Sequence, residues 1–211
     1  MSKTLIIGAS GQIGKMTIKL LLENQHNVVA LVRDKEKLSD LNSPHLTIVE
    51  RDLESDFSDA FEGCNQVIFA AGSGGNTGAD KTLLIDLWAA KKAASYAKQY
   101  QIEHFVMISS IGADNPDAVE GDIKPYLVAK HMADQHLINQ GVPYTILRPG
   151  TLTNEPGSQL ISTRYPNDSD KAKISRENVA NALYTIATNT FKRNRIISLF
   201  NGEQAIPKAL S

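Results

Sequence analysis

Tyr126 and Lys130 stand four residues apart at the start of a stretch, Tyr126 to Asn139, that reads as helix, so both side chains fall on one helical face. A tyrosine hydroxyl, with an ordinary pKa of roughly 10, gives up its proton more readily when an ammonium beside it stabilises the phenolate. That pairing suits protonation of a carbonyl oxygen while hydride arrives at its carbon. The run His104-Phe105-Val106-Met107-Ile108 reads as a strand and delivers Ser109 and Ser110 to its carboxyl end, where a hydroxyl could bind the same oxygen. Strand alternation turns one of the two away from a cleft. Ser110 is the favoured carbonyl binder, although alternation alone leaves Ser109 open. A Tyr-x-x-x-Lys spacing arises readily by chance in a chain with 6 tyrosines, and its place after a strand is what gives it weight.

A hydride needs a donor, and the beginning of the chain supplies a place for one. Gly8-Ala9-Ser10-Gly11-Gln12-Ile13-Gly14 follows the apolar run Leu5-Ile6-Ile7 and opens a helix-like stretch. Between strand and helix, Gly8 allows a tight turn, Gly11 lets backbone approach a pyrophosphate, and Gly14 lets helix pack on strand. The pyrophosphate would rest on free N–H groups at the helix start, with Ser10, Gln12 and Ile13 in the same turn, where the helix dipole favours negative charge. Lys130 would then also hold the nicotinamide ribose. The second strand, Val28 to Val32, ends in Arg33 and Asp34. An acid at the strand tip would bind a ribose 2′-hydroxyl, whereas Arg33, with Ser10, suits a 2′-phosphate. NADP is therefore the expected cofactor, with NAD following if a shift of one residue brings Asp34 to the tip. Asp52-Leu53 and Ala70-Ala71-Gly72 end the next two strands and are candidates for adenine and ribose contact, although ordinary turn chemistry explains either equally well. Pro149-Gly150-Thr151 ends the sixth strand, with backbone expected to be exposed to the nicotinamide carboxamide, and Arg148 before it reads as structural or an edge charge.

These residues need a sheet to hold them. Short β-branched runs at Thr4–Ile7, Asn27–Val32, Leu46–Val49, Gln66–Ala70, His104–Ser109, Tyr144–Leu147 and Arg195–Leu199 alternate with helical patterns, chiefly Gln12–Glu23 and Leu83–Gln99. The alternation predicts an α/β chain with a doubly wound parallel sheet in a single domain, residues 1–211. The rhythm breaks over Thr151–Lys173, which holds Pro156, Gly157 and Pro166 and reads as a substrate-side insertion. Ser175 is the expected N-cap of a helix running to about Thr188. The substrate pocket should be lined by Asp114–Lys124 and Leu152–Tyr165.

Other chemistries are disfavoured. Gly75 to Thr82 imitates a phosphate-binding P-loop but places Asp80 where glycine must precede Lys-[Ser/Thr]. With 22 basic and 23 acidic residues and no basic stripe, nucleic acid is not an expected partner. The five histidines form no metal-ligand spacing with Cys64 and read as surface or interface residues, so no metal is expected. Lys91, Lys92 and Lys98 read as solvated. A lone cysteine, no signal-like start and no apolar stretch of about 20 residues point to a soluble cytoplasmic protein without a membrane partner. The apolar stripe of Leu83–Gln99 fits either a monomer packing it on its own sheet or a homodimer.

The turn at Gly8–Gly14, the segments Ala70–Thr82 and Phe105–Ser110, Tyr126-Leu127-Val128-Ala129-Lys130, Leu147–Glu155 and Ile174–Ala180 together resemble the short-chain dehydrogenase/reductase superfamily, among its small atypical NAD(P)H-binding members, NmrA-like or named as sugar epimerases. The resemblance spans almost the whole chain. It implies a Rossmann-type sheet of strand order 3-2-1-4-5-6 with a seventh strand and NADP as cofactor. By position, it makes Tyr126 the acid/base, Lys130 its electrostatic partner and Ser110 the carbonyl binder. The active-site asparagine of typical members has no clear match around Asp86. The reading that follows is an NADPH-dependent oxidoreductase acting on a small carbonyl, quinone or related acceptor. A nucleotide-sugar epimerase or dehydratase and a non-catalytic NADP(H) sensor or scaffold are the alternatives.

Overall fold

Parity along the strands decides which layer each residue enters. In the computed structural model, which describes residues 2–74 and 77–211, β1 (Lys3–Ile7), β2 (Asn27–Val32), β3 (Leu46–Glu50), β4 (Gln66–Phe69), β5 (His104–Ile108) and β6 (Tyr144–Pro149) run parallel in the order 3-2-1-4-5-6. Ile6, Val28, Ala30, Ile68, Val106 and Leu147 face one side. Leu5, Ile7, Val29, Leu31, Val67, Phe69 and Phe105 face the other. Strands buried on both faces explain why these runs are continuously apolar rather than alternating. Each such aliphatic or aromatic side chain contributes roughly 1.5–3 kcal/mol of burial, against the entropy of ordering it.

Helix α1 (Gln12–Glu23) covers the first face with Ile18 and Leu21. After β4 the chain forms a single turn, α2 (Ala79–Lys81), then π-helical turns over Thr82–Ala89, then α3 (Ala90–Gln99). The next helix is α4 (Lys124–Gln140), with Pro125 in its first turn and Gly141 closing it at φ +76°, a left-handed cap that suits glycine. Alanines of α3 pack the second face together with Phe57, Phe61 and Leu137 of α4. The expected single α-helix over Leu83–Gln99 is corrected by the π turns. Wider winding rotates Asp86 and Ala89 inward and leaves Leu83, Leu84 and Trp88 exposed, so of the leucines of the stripe Leu87 alone packs against the core, beside the buried alanines.

The segment Thr151–Lys173 is more ordered than its irregular sequence suggests. It contains β7 (Thr151–Thr153) and β8 (Leu160–Ser162) and ends in β9 (Lys173–Ser175), which pairs with β7 as a separate parallel ribbon. Ser175 Oγ accepts from the Asn178 N–H (3.1 Å) and caps α5 (Arg176–Thr188), which joins α1 over the first face. The expected seventh strand is β10 (Arg195–Asn201), parallel to β6. Antiparallel β8 and then β11 (Gln204–Ala205) extend the sheet to nine strands before α6 (Ile206–Leu210) closes the chain.

One histidine departs from the surface reading. His104 is only 6% exposed, in a polar row that crosses the amino ends of four strands. Thr4 Oγ1 donates to Gln66 Oε1 (3.3 Å), which turns the Gln66 amide nitrogen to His104 Nδ1 (3.1 Å) and leaves His104 Nε2 to donate to Thr145 Oγ1 (2.9 Å). Parallel register sets Thr4 opposite Gln66 and Gln66 opposite His104, which is why a row forms. Burial, aided by the Arg193 charge, lowers the imidazole pKa to about 4.

Candidate active site and cofactor cleft

The β1–α1 turn packs backbone against backbone. Gly8 has φ +86°, and a Cβ there would lie 2.5 Å from the Ala71 nitrogen, while one on Gly14 would lie 2.4 Å from the Gly8 carbonyl oxygen. Gly11 caps α1 without a side-chain acceptor, and no acid stands in the first turn, so the N–H groups of Gln12 and Ile13 keep their affinity for an anion. Ile13 and Gly14 are themselves buried in the packing of α1.

At the carboxyl ends of β1–β4 lies a cleft of ≈ 380 Å³. Of the candidates, Gly8, Ser10, Gly11, Arg33, Asp52, Leu53, Ala70, Ala71 and Gly72 line it. Lys37, Arg51, Glu54 and Ile85 also line it and were not singled out by the sequence, since nothing local distinguishes them from surface residues; Ser73, Thr77 and Lys81, from the stretch that holds the P-loop-like run, line it too. Arg33 therefore shares this cleft with three more cations, Lys37, Arg51 and Lys81. Asp34 turns its carboxylate to the Glu36 N–H (3.1 Å), capping the turn that follows β2. Glu54 forms an ion pair with Lys81 across the mouth, and that bond raises the Lys81 pKa. Lys92 is not simply solvated, because its ammonium donates to the Leu53 (2.8 Å) and Ser55 carbonyls and ties down the loop after β3. Part of the P-loop-like segment, Gly75 and Asn76, lies outside the described residues.

The candidate catalytic pair stands on α4. Tyr126 is half-buried one turn before Lys130, which is 2% exposed, and the ammonium lies 5.9 Å from the centre of the phenol ring. Tyr126 walls a second cleft of ≈ 370 Å³ between Ser73–Thr82 and Asp122–Pro125. Ser73 and Thr77 line both clefts, so the two are contiguous. Asp122 and Ile123 belong to the Asp114–Lys124 segment expected at the substrate, whereas Leu152 of the second expected segment packs against the core. Behind the wall Asp86, 1% exposed, faces Lys130 with Oδ1 at 3.6 Å from Nζ, and its Oδ2 accepts the Ser73 N–H (3.0 Å).

The two serines take different partners. Ser109 is buried and donates to Asp134 Oδ2 (2.9 Å), which also accepts Arg148 Nε (3.1 Å) and Nη2 (2.9 Å). Ser110 is half-buried, and its Oγ donates to the adjacent Ile111 carbonyl (3.0 Å), leaving it outside that buried network. Burial raises the Asp134 carboxyl above its usual range, opposed by the Arg148 and Ser109 hydrogen bonds. Arg148 is thus structural, anchoring β6 to α4.

The expected exposed backbone at Pro149-Gly150-Thr151 is corrected. Pro149 and Gly150 are buried, the Gly150 and Thr151 N–H groups donate to the Leu199 (3.0 Å) and Ala172 (2.8 Å) carbonyls, and the Pro149 carbonyl accepts the Ile111 N–H (3.2 Å). The cause is the β7–β9 ribbon, which covers this corner so closely that a Cβ on Gly150 would lie 2.3 Å from the Ala172 oxygen. Thr151 alone remains exposed. Among the described residues no group of three or more His, Cys, Asp or Glu could hold a metal, and no helix is long and apolar enough to cross a membrane.

Known proteins resemble this chain in sequence and fold. The uncharacterized sugar epimerase YhfK of Bacillus subtilis is 40% identical over 99% of this chain and 98% of its own. A Bacillus halodurans structure named as an NAD-dependent epimerase/dehydratase superposes with a TM-score of 0.93 at 35% identity, covering 100% of this chain and 99% of that one. The oxidoreductase ylbE of Lactococcus lactis gives 0.87 at 28% identity, covering 99% and 94%. Residues 8–190 match the model of the NAD(P)H-binding family, and with a turn, sheet and cleft of this form the chain belongs to that family.

Proposed function

We propose that the protein is an NADPH-dependent oxidoreductase that reduces a small carbonyl, quinone or related acceptor. The observation that carries this reading is the placement of Tyr126 on a cleft contiguous with the dinucleotide cleft, with the buried Lys130 ammonium 5.9 Å from its ring. The cradle fits such a cofactor, because glycines hold the turn where side chains would clash and the first turn of α1 is free of competing acids. Arg33, Lys37 and Arg51 supply positive charge for a 2′-phosphate, while Asp34, which also lines the cleft, has its Oδ1 engaged by the Glu36 N–H. When bound, the cofactor supplies the hydride.

Tyr126 Oη then protonates the substrate oxygen, with the Lys130 ammonium lowering the cost of the phenolate left behind. Ser110 Oγ, turned away from the Ile111 carbonyl to which it donates in the structure, donates a hydrogen bond to the same oxygen and orients it. The epimerase names of relatives favour a second reading, a nucleotide-sugar epimerase. Its difficulty is size. After Gly150 about half of the chain extends the sheet through β8, β10 and β11 or covers it through α5 and α6, leaving little to enclose a nucleotide sugar.

The test is NADPH oxidation with a panel of aldehydes, ketones, quinones and flavins, with Tyr126→Phe alongside. Turnover should fall by about 10²–10⁴-fold in the variant while NADPH affinity stays within about twofold. Equal turnover in the two proteins overturns the assignment. Tight NADPH binding with no turnover of any acceptor moves the reading to a sensor, and conversion of a nucleotide sugar moves it to an epimerase.

A further inference from the structure

Asp86 is a buried carboxylate that the reaction outlined above does not use. It sits on the π-helical turns of Thr82–Ala89, a winding that recurs at functional sites because it re-aims side chains. Its two oxygens are divided between two elements. Oδ1 faces the Lys130 ammonium of α4 at 3.6 Å, and Oδ2 accepts the backbone N–H of Ser73 at 3.0 Å. Gly72, next to Ser73, approaches so closely that a Cβ on it would lie 3.1 Å from Oδ1. Gly72 and Ser73 line the dinucleotide cleft.

We infer that Asp86 is a positioning residue that sets the Lys130 ammonium and the Gly72-Ser73 turn relative to each other, so that the nicotinamide half of the cofactor meets both in register. The inference rests on the proposed NADPH reading and adds a role for a residue outside the Tyr126, Lys130 and Ser110 set. The physical argument has two parts. A lysine as buried as Lys130 needs a counter-charge, and the carboxylate that supplies it fixes where the ammonium lies. The same carboxylate replaces water as the acceptor for a cleft-lining backbone N–H, so the turn cannot shift without disturbing the lysine's partner. Ligand groups that contact neither element should not sense Asp86. The adenosine end, at Arg33 and Asp52, lies on the loops after β2 and β3, and neither the Lys130 contact nor the Ser73 hydrogen bond of Asp86 involves it.

The experiment compares two probes, NADPH and 2′,5′-ADP, on the wild-type protein, Asp86→Asn, Lys130→Met and the double variant. Asp86→Asn keeps an oxygen for the Ser73 N–H and removes the charge. NADPH affinity should fall by about ten- to a hundredfold, as expected for displacement of a positioned group, while 2′,5′-ADP affinity stays within about twofold. The nicotinamide emission of bound NADPH, which reports immobilisation of the reduced ring, should lose its enhancement. In the Lys130→Met background Asp86→Asn should have no further effect on either readout. Gly72→Ala provides a second perturbation with both charges present, because its Cβ displaces the carboxylate. It should give the same signature with a smaller change, and it serves if Asp86→Asn does not fold.

Unchanged NADPH affinity and emission in a folded Asp86→Asn overturn the inference. So does equal loss of both probes, which would mean a general effect on the fold, or an undiminished effect without Lys130. If the wild-type protein binds neither probe, the NADPH reading itself fails and this inference with it. If the wild type binds both and only the variant's pattern disagrees, the NADPH reading stands and the role of Asp86 is refuted.

Discussion

Lowering the pH from 8 to 5 should remove about 2 kcal/mol of stability through one side chain, His104. In the folded protein its pKa is lowered to about 4, first by burial and then by the Arg193 charge, against 6.5 for a free imidazole. The Gln66 amide nitrogen that faces Nδ1 adds a reason, since protonating Nδ1 would set two donors against each other. Because the folded-state pKa is depressed and the group is a base, the unfolded chain binds more protons between these values. The stabilisation is therefore complete above about pH 6.5 and is lost as the pH falls toward about 4. The full shift, 6.5 minus about 4, corresponds to roughly 3 kcal/mol, of which the drop to pH 5 removes about 2. In urea, with a slope of about 2–3 kcal/mol per molar, the unfolding midpoint should fall by about 0.7–1 M. His104→Gln, which carries no titrating group, serves as the reference. Subtracting its pH dependence removes the contributions of His136, whose pKa burial also lowers, and of Asp134, whose pKa burial raises. A difference between the two proteins of less than about 0.5 kcal/mol over this range would refute the reasoning.

Three further outcomes are expected. Arg33→Ala should weaken NADPH binding by about ten- to a hundredfold and NADH binding by no more than about twofold, read by fluorescence titration of both cofactors, since the guanidinium is assigned to the 2′-phosphate. Gly14→Ala should raise the NADPH dissociation constant at least about tenfold and lower the melting temperature, because its Cβ would lie 2.4 Å from the Gly8 carbonyl oxygen and α1 must move away from the turn. Asp134→Ala should cost about 3–5 kcal/mol in urea unfolding, because it leaves the buried Arg148 guanidinium without its main partner, whereas Asp114→Ala, at 3.8 Å and exposed, should cost less than about 1 kcal/mol.

The parallel sheet was legible because doubly buried strands leave unmistakable apolar runs, and α1, from Gln12 to Glu23, and the capped helix after Ser175 were equally plain. The glycine turn carried its geometry in its spacing, and its steric reasons are visible at Gly8 and Gly14. Less legible were features decided by distant partners. The π winding before Ala90 leaves no periodic signature that distinguishes it from an α-helix over two turns. The burial of His104 depends on Gln66 and Thr145, brought beside it only by strand register. The covering of Pro149 and Gly150 depends on a ribbon whose second strand, β9, lies beyond a segment with no regular pattern. Asp86 and Lys130 meet across two helices, and no local spacing announces such a pair. Asp86 appeared in the sequence only as the place where an asparagine was missing.

The residues lining the dinucleotide cleft run from Gly8 to Ile85, while Ser110, Tyr126 and Lys130 come from the chain after them. The earlier part of the chain thus supplies the lining of the dinucleotide cleft and the later part the candidate catalytic residues, while the second cleft is shared between Ser73, Thr77 and Thr82 of the first and Asp122, Ile123 and Tyr126 of the second. Asp86, at the boundary, reaches forward to Lys130. Substitutions that reshape the wall around Asp122–Pro125 can accumulate in the later half without disturbing the earlier one. Lineages built on this plan are free to diversify what they act on while inheriting a single way of holding a dinucleotide.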